Sequence, residues 1–515
     1  MSALPFSFSI WTFLKILAGF FLLMILYKAI KFGISLSMLK KRYLQQGIRL
    51  VKFFGLNFLK DMSRLLDQHG DVMYPIKEAI KKHPDSKALL VQMGPMIAVS
   101  LTGPEYIKEF NNRIISDYDR MSIQKIMDPL MKNGILTLTG EDWKLHRKVL
   151  SDSFRFDLFE RNIIDNHLAT VEFFENLSPQ EMENFVPREQ LKLIFSAING
   201  QTFFGDNVGK HMIDGKSCLS YLIGIFDDAV KSGKNPLMFL PMPEFLKKKL
   251  VPPYGRYIDH SKKLKRLLHQ IIQETRERIE ANPNLKGKNI IEGLLEAQKQ
   301  FKDRTKTFDD ESIGGEFITL LFAGVDVTSV LLSNTLYYLS LYPDLVAELV
   351  EEIQHAIPER KLTSISQLNS LELMHSTLKE VLRLHPPAVI VSKEAIRDTQ
   401  VLDIKIKKGD YVGVAIQANH ANPKYWEEPE KFNPRRFMKG ASAQNMEPFA
   451  FLAFSTGMRN CIGQHFAMIQ AKLVLATFLT TFDFKLAPGY KMKLGFKVLY
   501  EPMDSVKLIL NRKEK

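Results

Sequence analysis

Apolar residues recur at helical spacing through most of the chain, with long amphipathic stretches near 165–185, 217–232, 255–282, 312–341 and 371–384. Strict alternation is rare. Residues 88–101 (ALLVQMGPMIAVSL) read as a hairpin turning at Gly94-Pro95, and residues 401–416 (VLDIKIKKGDYVGVAI) as another turning at Lys408-Gly409. The pattern predicts a mainly α fold with a small antiparallel β part. Residues 317–342 are apolar enough to imitate a membrane span, but Glu316 at their start and Asp326 near their middle predict a helix buried in a large protein core. The other long apolar run, Ala3 to Tyr27, carries no charge except Lys15. As a helix it would cover about 37 Å, against a hydrocarbon core of about 30 Å. Lys15 costs roughly 2.5–3.5 kcal/mol on an insertion scale, which the surrounding Leu, Ile and Phe residues offset. No positive side chain precedes the run and no clear small-x-small site follows it, so a retained anchor is expected rather than a cleaved signal.

Composition adds boundaries. At 515 residues, 45% hydrophobic and 25% charged, the chain has ample length for a large core. It shows no repeat and no Gly/Ser-rich or Pro-rich linker, so residues 1–45 are expected to form an anchor and basic junction and 46–515 one domain. Lys28, Lys31, Lys40, Lys41 and Arg42 follow the apolar run and place the body on the cytoplasmic side. The net charge of +13 brings no zinc-finger cysteines, RNA-binding signature or basic zipper, which argues against nucleic acid. Most local runs, such as 262–266 (KKLKR), read as solvated helix faces. Residues 235–249 (NPLMFLPMPEFLKKK) join an apolar loop to a lysine run, either a surface loop or a second membrane contact. Two cysteines exclude a disulfide framework and suit a reducing compartment, and Cys218 reads as packing.

The other cysteine, Cys461, lies in residues 454–463 (FSTGMRNCIG), directly before the apolar helical stretch 463–482. A metal ligand must be thiolate, and the dipole and free amides of a helix start favour that form. Gly457 and Gly463 would let backbone approach a flat cofactor, and Arg459 could pair with an acidic cofactor edge. Here the sequence resembles cytochrome P450 enzymes: Phe454, Gly457, Arg459, Cys461 and Gly463 match their haem-thiolate loop in identity and spacing. The resemblance implies the cytochrome P450 fold, haem b held non-covalently apart from the thiolate–iron bond, and Cys461 as the proximal ligand, pushing electron density toward the iron.

Further motifs follow in the order that family shows. Residues 376–387 (STLKEVLRLHPP) place Glu380 and Arg383 three apart on one helical face, and residues 432–437 (FNPRRF) supply Arg436. The resemblance implies that these three charges lie together beneath the haem and serve folding rather than chemistry. Residues 141–150 (EDWKLHRKVL) put Trp143 and Arg147 four apart, matching the helix whose tryptophan and arginine bind haem propionates in that family. The resemblance covers nearly the whole chain, although GIRLVKFFGLNF stands where a proline- and glycine-rich hinge is common.

On the oxygen side, Ala323, Gly324, Val325 and Asp326 match the family's helix, but Val327 replaces its threonine. Thr328 points away from the direction of Val327, and only a local helix bulge would bring its hydroxyl to the oxygen pocket. Asp326 and Thr328 are the candidate catalytic residues. Phe317, Leu320, Leu321, Ala323, Val327, Val389 and Ile390 are expected to line a greasy pocket. Ala323 stands where fatty-acid hydroxylating relatives often carry a haem-tethering glutamate, so a covalent tether is not expected.

The resemblance implies a monooxygenase of the endoplasmic reticulum membrane acting on a lipophilic molecule of fatty acid, sterol or xenobiotic type. The alternative is an isomerase or dehydratase acting on hydroperoxides or endoperoxides without dioxygen; a non-catalytic haem sensor or carrier ranks last. No G-x-G-x-x-G fingerprint opens a strand–helix unit, so NADPH and flavins would act through a separate membrane-bound reductase, with cytochrome b5 as a second candidate partner. A basic face near Lys144, Arg147 and Lys148 is the expected docking site.

Overall fold

The apolar-periodic stretches fold as helices near their expected bounds. The computed structural model describes residues 33–514 apart from 55–57, 95, 122–126, 155, 206–210, 234, 240–241, 282–288, 302–307 and 442–446. The helices that frame the site are α1 (Gly140–Ser153), α2 (Phe156–Glu175), α3 (Pro187–Asn199), α4 (Cys218–Gly233), α5 (Pro252–Ala281), α6 (Asp310–Phe322), α7 (Thr328–Leu341), α8 (Pro343–Ala356), α9 (Glu372–Leu384) and α10 (Gln464–Thr481). The amphipathic helices follow their apolar spacing, while α6, α7 and α10 are buried on nearly all sides. On α5, for example, Tyr257, Ser261, Leu264, Leu268, Ile272, Thr275 and Ile279 form one buried stripe. The expected helix over 165–185 instead ends at Glu175, because Pro179 cannot continue it and Ser178 caps a fresh turn with Glu181.

At the centre, α6 and α7 run almost end to end, and nearly all their residues are buried. Among the described residues, 310–341 are the one stretch of helix long and apolar enough to cross a membrane, and protein surrounds most of it. The carboxylates Glu316 and Asp326 therefore mark a core helix, as the sequence indicates.

The strands of the largest sheet and of the hairpin inserted in it are β1 (Arg49–Phe54), β2 (Ala88–Met93), β3 (Met96–Leu101), β4 (Tyr118–Asp119), β5 (Val391–Ala395), β6 (Thr399–Val401), β7 (Ile404–Ile406) and β8 (Tyr411–Val414). β2 and β3 form the first expected hairpin. The second is different: β6 pairs with β7 around Leu402 and Asp403, while Gly409, at φ +87°, turns the chain so that β8 pairs with β5 and β3. Six strands in the order β1-β2-β3-β8-β5-β4 make the largest sheet, which mixes antiparallel pairs with parallel β1–β2 and β3–β8.

Residues 33–44 are helical, and Asp410 accepts hydrogen bonds from both Arg42 and the fully buried Tyr43, each at 2.5 Å. The packed body thus begins before residue 46. The expected span Ala3–Tyr27, with Lys28 and Lys31, lies outside the described residues.

Candidate active site

Cys461 sits at the end of a tight loop. Its backbone N–H donates to the Phe454 carbonyl at 2.9 Å, closing the turn, and α10 starts three residues later. Gly457 holds a φ of +69°, and a Cβ there would stand 3.0 Å from Asn111, so it serves the turn and a close protein contact. Gly463 is different: an added Cβ would meet nothing within 4 Å, which leaves room for a flat group. Cys461 is exposed, yet enough protein surrounds it that burial pushes its thiol up. The Gly463 amide and the Arg147 guanidinium pull the other way. Burial outweighs the helix start here, so this sulfur needs a cation at the sulfur itself to ionise readily.

Cations crowd the loop. Arg147 donates to the Asn460 carbonyl at 2.7 Å and to its Oδ1 at 2.6 Å. The Arg459 guanidinium stacks 4.0 Å from the centre of the buried Trp143 ring and donates to the Leu138 carbonyl at 3.0 Å. Trp143 and Arg147 therefore reach the same loop from one face of α1. Burial holds Arg459 down at about 10 and Lys393 of β5 at about 8, the latter also repelled by Arg459. Burial lowers Arg147 too. Nε of Arg459 is buried without a partner among the described residues. Three desolvated cations short of counter-charge fit a group carrying carboxylates. Among the described residues no cluster of three His, Cys, Asp or Glu could hold a metal ion, so a lone sulfur suits a metal that brings its other ligands with it. Haem, flat and edged by two propionates, fits this set. Lys393 has no sequence signal of its own, because only the pairing of β5 with β8 and β4 brings it near Arg459.

The three expected structural charges meet. Arg383 donates to both oxygens of Glu380 at 2.8 Å, and Arg436 donates to Glu380 at 3.2 Å. The remaining donors reach the carbonyls of His420, Pro429, Glu427 and Glu428. His420, missed in the sequence, accepts the Leu452 N–H on Nε2 and faces the Arg383 carbonyl with Nδ1. Complete burial pushes its pKa down to about 3, so it stays neutral and ties α9 to the segment leading into the cysteine loop.

On the oxygen side, Ala323–Val327 form a π-helical turn between α6 and α7, the bulge that would be needed to redirect Thr328. It does not turn the hydroxyl outward: Thr328 is buried and its Oγ1 accepts from Gln470 of α10 at 3.4 Å. Ala323 and Val327 instead hold the open edge of an otherwise buried helix. Asp326 accepts from Arg188 of α3 at 2.7 Å, with Lys192 at 3.7 Å, and Arg188 also binds Glu501 and Ser329. Sequence spacing offers no hint of these partners, which lie far away along the chain. Among the expected pocket residues, Phe317 stacks on Phe204 at 3.9 Å, and Leu320, Leu321 and Val389 are buried core. Only Ala323, Val327 and, half-buried, Ile390 remain open. Apolar residues at helical spacing meet the core as readily as a ligand, which is why the pattern could not separate them.

Comparison with known proteins agrees with this geometry. The family model described as Cytochrome P450 matches residues 64–503. Human cytochrome P450 4Z1 is 28% identical over 447 residues, covering 81% of this chain and 83% of that protein. Cytokinin hydroxylase of Arabidopsis thaliana is 28% identical over 72% of each chain, and cytochrome P450 3A31 of Mesocricetus auratus is 34% identical over 42% of this chain and 43% of that protein. With the cysteine loop, the buried charge triad and the family match all falling in one fold, the chain belongs to the cytochrome P450 family of haem-thiolate monooxygenases.

Proposed function

We propose that residues 46–515, with the packed stem that precedes them, insert one oxygen atom from dioxygen into a lipophilic small molecule, using electrons from a separate membrane-bound flavoprotein reductase. The observation that carries this reading is an exposed Cys461 on a loop crowded by three cations that burial destabilises, Arg459, Lys393 and Arg147. Arg459 and Lys393 would hold the propionates, Arg147 would border them with its guanidinium on Asn460, Gly463 would leave space for the ring, and Cys461 would ligate the iron. Bound there, haem supplies the metal centre at which dioxygen is reduced and one oxygen atom is transferred. Val327 and Ala323 present an apolar edge to the substrate and exclude bulk water. Asp326, held by Arg188 and Lys192 and directly before Val327, is the side chain placed to relay protons to that edge.

The span Ala3–Tyr27 anchors the chain in the endoplasmic reticulum membrane with the body in the cytoplasm. Phe245 and Leu250, exposed beside Lys247, Lys248 and Lys249, support a second contact with the bilayer. Lys144 and Lys148 are exposed and form the reductase face, with cytochrome b5 as a second candidate partner; Arg147 is committed to Asn460 and does not belong to that face. Replacing Cys461 by Ser is expected to abolish the thiolate band of the reduced, carbon monoxide-treated protein. A Cys461→Ser protein that keeps that band overturns the reading.

One observation favours a second reading, rearrangement of hydroperoxides or endoperoxides without dioxygen: Val327 holds the open edge while the Thr328 hydroxyl faces Gln470. The relative named as a hydroxylase supports oxygen insertion. Turnover of a lipid hydroperoxide without reductase, and none with reductase and dioxygen across a lipophilic substrate panel, would decide for the second.

A further inference from the structure

His146 of α1 and Glu316 of α6 are both completely buried, with Nδ1 of the histidine 2.7 Å from Oε1 of the glutamate. Glycines make the approach possible. A Cβ on Gly315 would stand 2.5 Å from the Lys132 carbonyl, and one on Gly134 would stand 2.6 Å from the Gly315 carbonyl, so the loop before α1 lies directly on α6. The Ile135 amide also serves Glu316, and Phe308 packs on the His146 ring with centroids 4.5 Å apart. Burial pushes Glu316 up, against the pull of His146, as expected for a dry contact in which an uncompensated charge would be costly.

The next residue after His146 is Arg147. Consecutive helical residues are separated by a fixed turn, so pinning His146 to α6 sets the rotation of α1 and hence the direction of Arg147. Arg147 grips Asn460 through both its carbonyl and its Oδ1, at 2.7 and 2.6 Å, and Asn460 immediately precedes Cys461. An unbroken path of short contacts therefore runs from the oxygen-side helix to the sulfur. We infer that the His146–Glu316 pair is a positioning device that sets, through Arg147 and Asn460, where the Cys461 sulfur stands against the group it ligates. The inference rests on Cys461 being the haem ligand. Sites of this kind tolerate drift of only about 0.5 Å, so a helix free to rotate would loosen the ligand without unfolding the chain.

The test uses the full-length haem-loaded protein and two readouts besides thermal unfolding: the rate of haem loss to excess apomyoglobin and the thiolate band of the reduced carbon monoxide complex. Glu316→Leu is expected to speed haem loss about tenfold, the lower range for groups that orient a metal ligand, and to convert part of the band to the thiol-ligated form. Glu316→Gln keeps a hydrogen bond to His146 and is expected to stay within about twofold of the parent. Arg147→Leu should reproduce the Glu316→Leu effect, and the double variant should be no worse than the more severe single change, because both act on one path. Multiplying effects in the double variant overturn the proposal, as does a Glu316→Leu protein that melts earlier with its haem-loss rate and thiolate band intact. Should Glu316→Leu fail to fold, Glu316→Asp takes its place, and a parental haem-loss rate in that shortened variant overturns the proposal. A parent protein without any thiolate band refutes instead the assignment of Cys461, so the two failures are distinguishable.

Discussion

Val327 occupies the position where a hydroxyl would face the open edge of the oxygen-side helix, and the Thr328 hydroxyl is engaged with Gln470. Val327→Thr is therefore expected to raise the fraction of reductase electrons recovered in product about two- to tenfold, below the roughly 10²- to 10⁴-fold that a positioned proton donor contributes to a chemical step. Product formed per NADPH consumed is the measurement, and an unchanged ratio counts against oxygen insertion. Lys393 gives a prediction about pH. It releases its proton near 8 in the folded chain, below lysine's ordinary 10.5, mainly because of burial. Between about pH 8 and 10.5 the unfolded lysine still binds a proton that the folded one has lost, so folding stability of the haem-free chain rises with pH. The contribution is at most about 1.4 kcal/mol per pH unit, reduced by solvent because Lys393 is only half-buried. Lys393→Met should flatten that rise in urea unfolding measured across the window, and should weaken haem binding at pH 7. The cysteine loop itself was legible in the sequence because five residue identities within ten positions carry it. Lys393, His420 and Arg188 were not, since each acquires its partner from a strand, loop or helix remote in the chain.

Between elements, buried charge links the helices. Arg188 of α3 compensates both Asp326 and Glu501, so Arg188→Leu leaves two shielded carboxylates and is expected to cost about 3–5 kcal/mol. Removing Glu380 by Glu380→Ala should cost a similar amount, because Arg383 and Arg436 would keep their charges under the loop without a counter-ion. Equilibrium denaturation of the haem-free chain reads both, and a loss below about 1 kcal/mol for either shows that water or carbonyls already suffice. Helices were readable from the sequence because their apolar stripes persist over several turns. The second hairpin was misread for a reason that Gly409 makes plain: a turn residue marks where a chain bends, while the choice of partner belongs to tertiary packing. β8 lies between β3 and β5, separated by hundreds of residues from the first. Phe317, Leu320 and Leu321 show the same limit, since a helix buried all round gives no sign of which face meets a ligand.

For the molecule as a whole, the expected anchor and the +13 charge bear on where the enzyme works. A chain lacking residues 1–32 should move substantially from the membrane pellet to the supernatant in fractionated cells; its complete retention would assign membrane binding to the body, with Phe245 and Leu250 as the first residues to change. Reversing Lys144 and Lys148 to Glu is expected to raise the reductase concentration needed for half-maximal turnover about tenfold while leaving peroxide-supported turnover unaltered. The stem described at Asp410 carries a mechanical consequence. Arg42 and Tyr43 fasten residues 33–44 to the turn before β8. Between Tyr27 and Gly33 there remain six residue steps, at most about 20 Å of fully extended chain. If residues 3–27 span the bilayer as proposed, a body leashed that closely cannot tumble over the membrane like a balloon on a string. On that proposal the body would ride at a narrow range of tilts, and cutting the Asp410 fastening would widen that range before it touched the chemistry.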